Sequence, residues 1–226
     1  MDALLTARDA AATAEPAPAA ARAYRVLERM IVTLELSPGS IATEGALIER
    51  VGLGRTPVRE AIQRLAWEGL MEIRPRAGLA IAPLNAADWV RVLDARSGVE
   101  QVLARSAARN ARAASAGRLE AAASAMRDAA DASDVLAFLE ADKALDEVIA
   151  VAADNAFAAR VATPLQTHSR RFWFRYQASS GLSAAAERHV ELIRAVLSGE
   201  AQRAGDEAKR LMGLLYRYAE AVASSQ

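Results

Sequence analysis

The first residues suited to chemistry are arginines at the start of one amphipathic segment. In the stretch GRTPVREAIQRLAWEGLMEI, residues 54–73, Arg55, Thr56 and Arg59 stand near the N-terminal end of a predicted helix. Free backbone N–H groups and the helix dipole favour phosphate there, and an arginine fork can pair with both acceptors of a guanine. The pattern favours contact with nucleic acid, although a solvated basic helix face would use the same residue types.

A second set of candidates could hold a metal ion. Asp142 and Asp146 lie four residues apart, so both carboxylates project from one face of a helix, and His189 lies in a later helix. These groups could bind a divalent cation such as zinc, nickel or manganese if the fold brings them together. Acids with this spacing are usually solvated and a lone histidine is rarely a ligand, so the spacing alone leaves a metal site open.

A third set lies in the segment THSRRFWFRYQ, residues 167–177. If this segment is helical, His168, Arg171, Phe172 and Arg175 share one face. Cations beside an aromatic ring inside a helical bundle could hold a carboxylate ligand by charge-assisted hydrogen bonds. The same arginines could instead extend over the rim of the bundle or form a subunit contact.

The first set of candidates, Arg55, Thr56 and Arg59, is positioned by the helices and strands predicted within residues 22–84. Apolar spacing and turn signals predict helices over 21–35, 43–50 and 57–68 and strands over 70–74 and 79–82. Thr56 is expected to cap the third helix with Pro57 at its first position. Arg64, in mid-helix, is expected to pair with Glu60 or Glu68. Three helices followed by a β-hairpin predict a winged helix-turn-helix.

Residues 85–226 are predicted to be almost entirely helical. The helices are expected over 85–111, 115–132, 133–153, 155–176, 182–198 and 200–223. Asn85, Ser115, Ser133 and Asn155 are the expected N-terminal caps, and Pro164 is expected to bend the fourth helix. Short links between helices indicate an antiparallel bundle. The predicted fold is therefore mainly α, with an N-terminal winged helix-turn-helix followed by an all-α antiparallel helical bundle.

Composition limits the classes of function. The formal net charge of the 226 residues is zero, and residues 22–84 hold nine arginines against seven glutamates, a difference of +2. Any DNA contact must therefore depend on where the cations lie. The absence of cysteine fits a cytoplasmic protein, and no apolar run is long enough to span a membrane. Residues 1–21 are expected to be a flexible tail rather than a signal peptide.

Residues 22–84 resemble the DNA-binding domain of the GntR family of bacterial transcription regulators. The resemblance implies that Arg55, Thr56 and Arg59 contact a double-stranded operator, and that the wing around Arg76 and Gly78 reaches the minor groove or phosphates. Two glycines depart from the family pattern: Gly54 stands where serine is common, and Gly45 where some members have arginine. The matching residues are Pro38-Gly39, Leu47, Gly52, the run RTPVREA at 55–61, Arg64-Leu65 and Glu68-Gly69-Leu70.

Residues 85–226 resemble the FadR-type effector domain, which also serves dimerisation, with Arg96 and Glu100 near its start. Many members bind a metal through one Asp and three His, in the pattern D-x-x-F-H followed by two later histidines. Asp142 matches the Asp and His189 the second His, whereas Asp146 replaces the first. The third position, near Leu211 and Met212, has no histidine. The resemblance therefore implies an altered site and favours direct binding of a small organic acid. It also implies that Arg96 points into the cavity expected to hold His168, Arg171 and Arg175.

These observations predict a homodimeric, ligand-responsive regulator that binds a palindromic operator, with half-sites about one helical turn apart. Repression is the more frequent mode in the family. Two alternatives stay open. A metal-dependent hydrolase on the bundle would need an activated water and a general base, and the chain has two histidines and no nucleophile arrangement, so we expect no enzyme. A protein-interaction module that docks its basic helix on an acidic partner would leave the wing unexplained.

Overall fold

The computed structural model describes residues 17–111, 113–177 and 181–224, which are mainly helical. Residues 1–16 of the expected tail lie outside the described residues, and the first helix already begins at Ala19. The described elements follow this order: α1 Ala19–Val32, β1 Ile41–Ala42, α2 Glu44–Val51, α3 Arg55–Trp67, β2 Met71–Arg74, β3 Gly78–Ile81, α4 Ala86–Asn110, α5 Ala113–Asp131, α6 Val135–Ala153, α7 Ala156–Tyr176, α8 Leu182–Leu197 and α9 Ala201–Ala223.

The N-terminal elements form the expected winged helix-turn-helix around their own core. Leu27 of α1, Leu47 of α2 and Leu65 of α3 are buried together there. The predicted hairpin is present as β2 and β3, and β1 extends it to an antiparallel sheet in the order β1-β3-β2. The sequence did not indicate β1, because two residues are too few for an alternating pattern.

Two predicted helix boundaries in this half are wrong. The cap of α3 is Gly54 rather than Thr56, which lies inside the helix. Pro57 is tolerated in the first turn because N–H groups there have no partner within the helix. The first helix ends at Val32, three residues early, because Leu34 takes a positive φ of 60° that no helix continues.

The C-terminal elements α4–α9 form the predicted helical bundle around a second core. The caps Asn85 and Asn155 are confirmed, since each side chain accepts a backbone N–H bond at the start of its helix. Two caps are wrong: Ser115 lies inside α5, and α6 is capped by Asp134 rather than Ser133. The Asp134 carboxylate accepts the N–H of Ala137. The bend at Pro164 stays a prediction.

Candidate DNA interface and effector site

The start of α3 presents its polar residues to solvent. Val58 and Leu65 are fully buried in the N-terminal core, which fixes the orientation of the helix. Arg55, Thr56 and Arg59 are all exposed. The burial pattern therefore leaves the predicted contact residues free to approach a ligand at the N-terminal end of the helix.

The arginines of α3 differ in what they already contact. Among the described residues Arg55 has no hydrogen bond or ion pair, whereas the Arg59 Nε donates to Glu44 Oε1 at 2.7 Å. That pair is exposed, and exposed pairs contribute only about 0–1 kcal/mol, so a phosphate can replace Glu44. Arg64 Nε donates to Glu68 Oε1 at 2.9 Å, and its guanidinium lies 3.8 Å from the ring centre of Tyr24. The predicted pairing of Arg64 with a neighbouring glutamate is confirmed, and its partner is Glu68.

The hairpin between β2 and β3 forms the wing. Arg76 is exposed at its tip with a φ of 63° and has no ion pair among the described residues. Gly78 has a φ of 101°, and a Cβ built there would lie 2.8 Å from the Ala42 carbonyl oxygen. Its local role is therefore to let β1 approach β3. Contact of either residue with DNA stays a prediction.

The three predicted metal ligands do lie together, but a cation of the chain lies among them. Arg170 of α7 donates through Nη1 to Asp146 Oδ2 at 2.6 Å and to Asp142 Oδ2 at 3.3 Å. His189 Nε2 lies 2.9 Å from Asp142 Oδ1, and its Nδ1 lies 2.7 Å from the Ala185 carbonyl oxygen. The guanidinium of Arg170 thus supplies a positive charge between the two carboxylates.

The electrostatics of this cluster do not fit a divalent metal. Both ring nitrogens of His189 face oxygen acceptors, so the ring donates twice as an imidazolium. Burial opposes that charge, but the hydrogen bond and charge of Asp142 outweigh it and raise the pKa of His189. A metal ligand needs the lone pair that this imidazolium lacks. Leu211 and Met212 supply no nitrogen or oxygen ligand, and the described residues contain no group of three side chains placed to hold a metal.

The pKa values of Asp142 and Asp146 are shifted in opposite directions. Burial opposes ionisation of Asp142, but the hydrogen bond and charge of His189, with the charges of Arg170 and Arg96, lower its pKa. Burial and then the charge of Asp142 raise the pKa of Asp146 to about 7. One carboxylate is therefore held firmly ionised, while its neighbour has a pKa near neutrality.

A small cavity adjoins this cluster. It measures about 20 Å³, enough for about one water molecule, and its lining includes Arg96, Phe138, Arg170, Trp173 and His189. Arg96 is buried and lines this cavity, but it does not share the cavity with Arg171 and Arg175 as expected; its Nε donates to Glu100 Oε1 at 2.6 Å. The sequence did not indicate Arg170. A signal was available in its spacing of three residues from Trp173, which places both on one face of α7.

The residues chosen from 167–177 do not line this cavity. His168 Nε2 lies 2.9 Å from the Glu68 carbonyl oxygen, and Arg171 Nη2 donates to the Ala82 carbonyl oxygen at 2.5 Å. Arg175 is exposed, and its guanidinium lies 5.4 Å from the ring centre of Tyr176. The placement predicted for these three residues is corrected: two bind the backbone of the winged domain, because the face of α7 that carries them meets that domain.

A buried carboxylate of α1 joins the winged domain to the cluster. Glu28 is 2% exposed and accepts a hydrogen bond from Thr167 Oγ1 at 2.7 Å and another from Lys143. Its Oε1 lies 3.6 Å from Arg170 Nη2. Arg170 therefore touches carboxylates of both domains. Sequence reasoning missed Glu28, although its place beside Leu27 on the apolar face of α1 was a signal of burial.

Comparison with known families finds two matches along the chain. Residues 19–81 match the family described as bacterial regulatory proteins, gntR family, and residues 91–214 match the FCD domain. Within the described residues no helix is both long and apolar enough to cross a membrane.

Individual relatives match over a minority of the chain. An uncharacterized HTH-type transcriptional regulator in an unstable DNA locus of Streptomyces ambofaciens is 41% identical over 73 residues, 32% of this chain and 30% of that protein. The HTH-type transcriptional repressor RspR of Escherichia coli K12 is 39% identical over 64 residues, 28% of each chain. The chain thus spans about a third of the length of these relatives.

Solved structures extend the likeness in fold to nearly the whole chain. The structure of E. coli McbR/YncC has a TM-score of 0.75 at 15% identity and covers 89% of this chain and 99% of its own. The crystal structure of a putative transcriptional regulator GntR from Rhodococcus sp. RHA1 has a TM-score of 0.63 at 17% identity and covers 91% of this chain and 96% of its own. At these identities the likeness establishes the fold.

Proposed function

The chain belongs to the GntR family of bacterial regulatory proteins and carries an FCD domain, and from that premise we propose that it regulates transcription as a DNA-binding protein controlled by a small molecule. The observation that carries the proposal is the start of α3, where Arg55 is exposed with no partner among the described residues. An unpaired guanidinium at a helix N-terminus is suited to phosphate or a guanine edge. The matched families and relatives are regulators rather than enzymes.

A homodimer on a palindromic operator is the arrangement we propose. A two-fold dimer would present two α3 helices to half-sites about one turn apart. The relative RspR is named a repressor, and we propose repression here. Such a regulator would act in the cytoplasm, where the bacterial chromosome lies.

The effector that we propose is a small organic acid held beside Arg96 and Arg170. Both guanidinium groups are buried and line the cavity, so a carboxylate there would gain charge-assisted hydrogen bonds in a site shielded from water. The cavity must widen to admit such a ligand. The ligand would therefore select a conformation in which Arg170 has turned towards it.

That movement would carry the signal to DNA. Arg170 lies between Asp146 of the bundle and Glu28 of the winged domain, so an effector that draws Arg170 inward weakens the contact with Glu28. The winged domains would then change their spacing or order. Coupling of this kind requires different effector affinities in the two states.

The DNA-binding part is tested with Arg55→Ala on a duplex selected from a random library by the wild-type protein. Loss of a base or phosphate contact should weaken binding by roughly 1–3 kcal/mol, about five- to 150-fold. Arg203→Ala is the matched control, because Arg203 is exposed on α9 of the bundle with a surface pair to Glu200. Equal affinity of Arg55→Ala and wild type, in a gel-shift assay at one salt concentration, would remove Arg55 from the interface.

A further inference from the structure

A second cavity is lined by residues of α4, α7 and α9. It measures about 160 Å³, and the side chains of Trp89, Trp173, Tyr176 and Tyr218 form most of its wall. Trp173 also lines the small cavity beside Arg170, so the two spaces have one lining residue in common. The aromatic cavity is eight times larger, and it plays no part in the function proposed above.

The walls of this cavity are held by ring stacking. The ring centres of Trp89 and Phe172 are 6.1 Å apart with planes 8° from parallel, and those of Trp89 and Tyr176 are 6.4 Å apart at 21°. Trp89 is 1% exposed. Stacked rings with little freedom keep the shape of a site fixed before a ligand arrives, which lowers the entropic cost of binding.

Two lining side chains contain buried polar atoms without a partner. Trp89 Nε1 is a donor and Gln177 Oε1 is an acceptor, and neither makes a hydrogen bond among the described residues. Buried polar groups are nearly always paired in folded proteins, because leaving them unpaired costs the free energy of removing them from water. An unpaired donor and an unpaired acceptor on the lining residues of one aromatic cavity therefore point to a bound molecule that forms a hydrogen bond with each.

We propose that this cavity binds a neutral phenol with a single aromatic ring. Its volume is close to the roughly 150 Å³ of an engineered cavity that holds benzene, so one ring fits and two do not. A phenolic hydroxyl accepts from Trp89 Nε1 and donates to Gln177 Oε1. None of the described lining residues is charged, so a carboxylate would find no cation there.

The test is an NMR titration of the full chain with phenol, read at the indole N–H signals. The chain has three tryptophans, and Trp67 is 86% exposed on α3, so its signal is an internal control. We expect a saturable shift of the Trp89 signal with phenol and none of the Trp67 signal. Toluene, which has the ring without the hydroxyl, should bind about a hundredfold more weakly, the effect of about two lost hydrogen bonds.

Two variants separate the cavity from non-specific binding. Trp89→Phe keeps a ring, removes the N–H and assigns the signal, and it should lower the phenol affinity measured by calorimetry about tenfold. Ala221→Leu adds volume at an exposed lining position without disturbing the core, and it should abolish binding. An unmoved Trp89 signal at millimolar phenol, equal affinities for phenol and toluene, or unchanged binding by folded Ala221→Leu would each overturn the proposal.

Discussion

The contact between Glu28 and the bundle leads to the most specific prediction, which concerns the free energy of unfolding. Glu28→Gln keeps the size of the side chain and an acceptor for Thr167, so it removes little more than the charge. In the wild type that charge faces Lys143 and Arg170 at a position that is 2% exposed. Removal of one partner of a buried ion pair costs about 3–5 kcal/mol, because the other charge is left buried without compensation.

The expected cost lies at the low end of that range. Arg170 keeps Asp142 and Asp146 as partners, and the Lys143 side chain is 22% exposed and can turn towards water. Burial and the charge of Arg170 also lower the pKa of Lys143 to about 8, so this lysine loses its charge more readily than most. We therefore expect a loss of about 3 kcal/mol, which for a chain of this size lowers Tm by about 6–12 °C.

Scanning calorimetry at neutral pH measures that shift, with Glu35→Gln as the control. Glu35 also belongs to the N-terminal half, but its pair with Arg50 spans 3.6 Å between side chains that are both about half exposed. Its loss should change the free energy of unfolding by less than about 1 kcal/mol. Equal Tm values for the two variants would refute the assignment of Glu28 as a buried junction between domains.

Three further outcomes are expected. Protein purified without chelator should contain no stoichiometric zinc, nickel or manganese by mass spectrometry of metals, because His189 has no free lone pair; one metal per chain would contradict this. Burial lowers the pKa of His168 below its usual 6.5, so its contribution to stability is present above pH 6.5 and is lost as the pH falls. The difference in free energy of unfolding between wild type and His168→Gln should shrink on acidification, and a constant or growing difference would be inconsistent. Gly78→Ala should destabilise the protein by about 1–3 kcal/mol in chemical denaturation, since its Cβ would overlap the Ala42 carbonyl oxygen at a positive φ; an unchanged midpoint would argue against that overlap.

Local sequence signals were sufficient for the three helices and the hairpin of the winged half, although not for β1 or for every helix boundary. The position of α3 followed from the apolar spacing of Val58 and Leu65, and the pairing of Arg64 with Glu68 followed from helix periodicity. Such signals involve neighbours a few residues apart, which the backbone places whatever the rest of the fold does. The N-terminal cap of α3 was less predictable, because Gly54 occupies the cap position without any side-chain hydrogen bond.

The site in the bundle depended on contacts that no local pattern contains. Arg170 and Arg171 are adjacent in sequence, yet one faces carboxylates of the bundle and the other donates to Ala82 of the winged domain. Which arginine enters the cavity depends on which faces of α7 meet α1 and α6, and that is a property of packing. Glu28 became part of the site for the same reason, because its partners lie 115 and 139 residues away.

Selection of duplexes from a random DNA library, followed by hydroxyl-radical footprinting, tests the central claim most directly. The exposed Arg55 at the start of α3 and the exposed Arg76 of the wing are the groups expected to make the contact. We predict convergence on an inverted repeat, with two protected tracts about one helical turn apart. If no sequence were enriched, or if the protein bound DNA without protecting a defined tract, the account of this chain as a sequence-specific DNA-binding regulator would be contradicted.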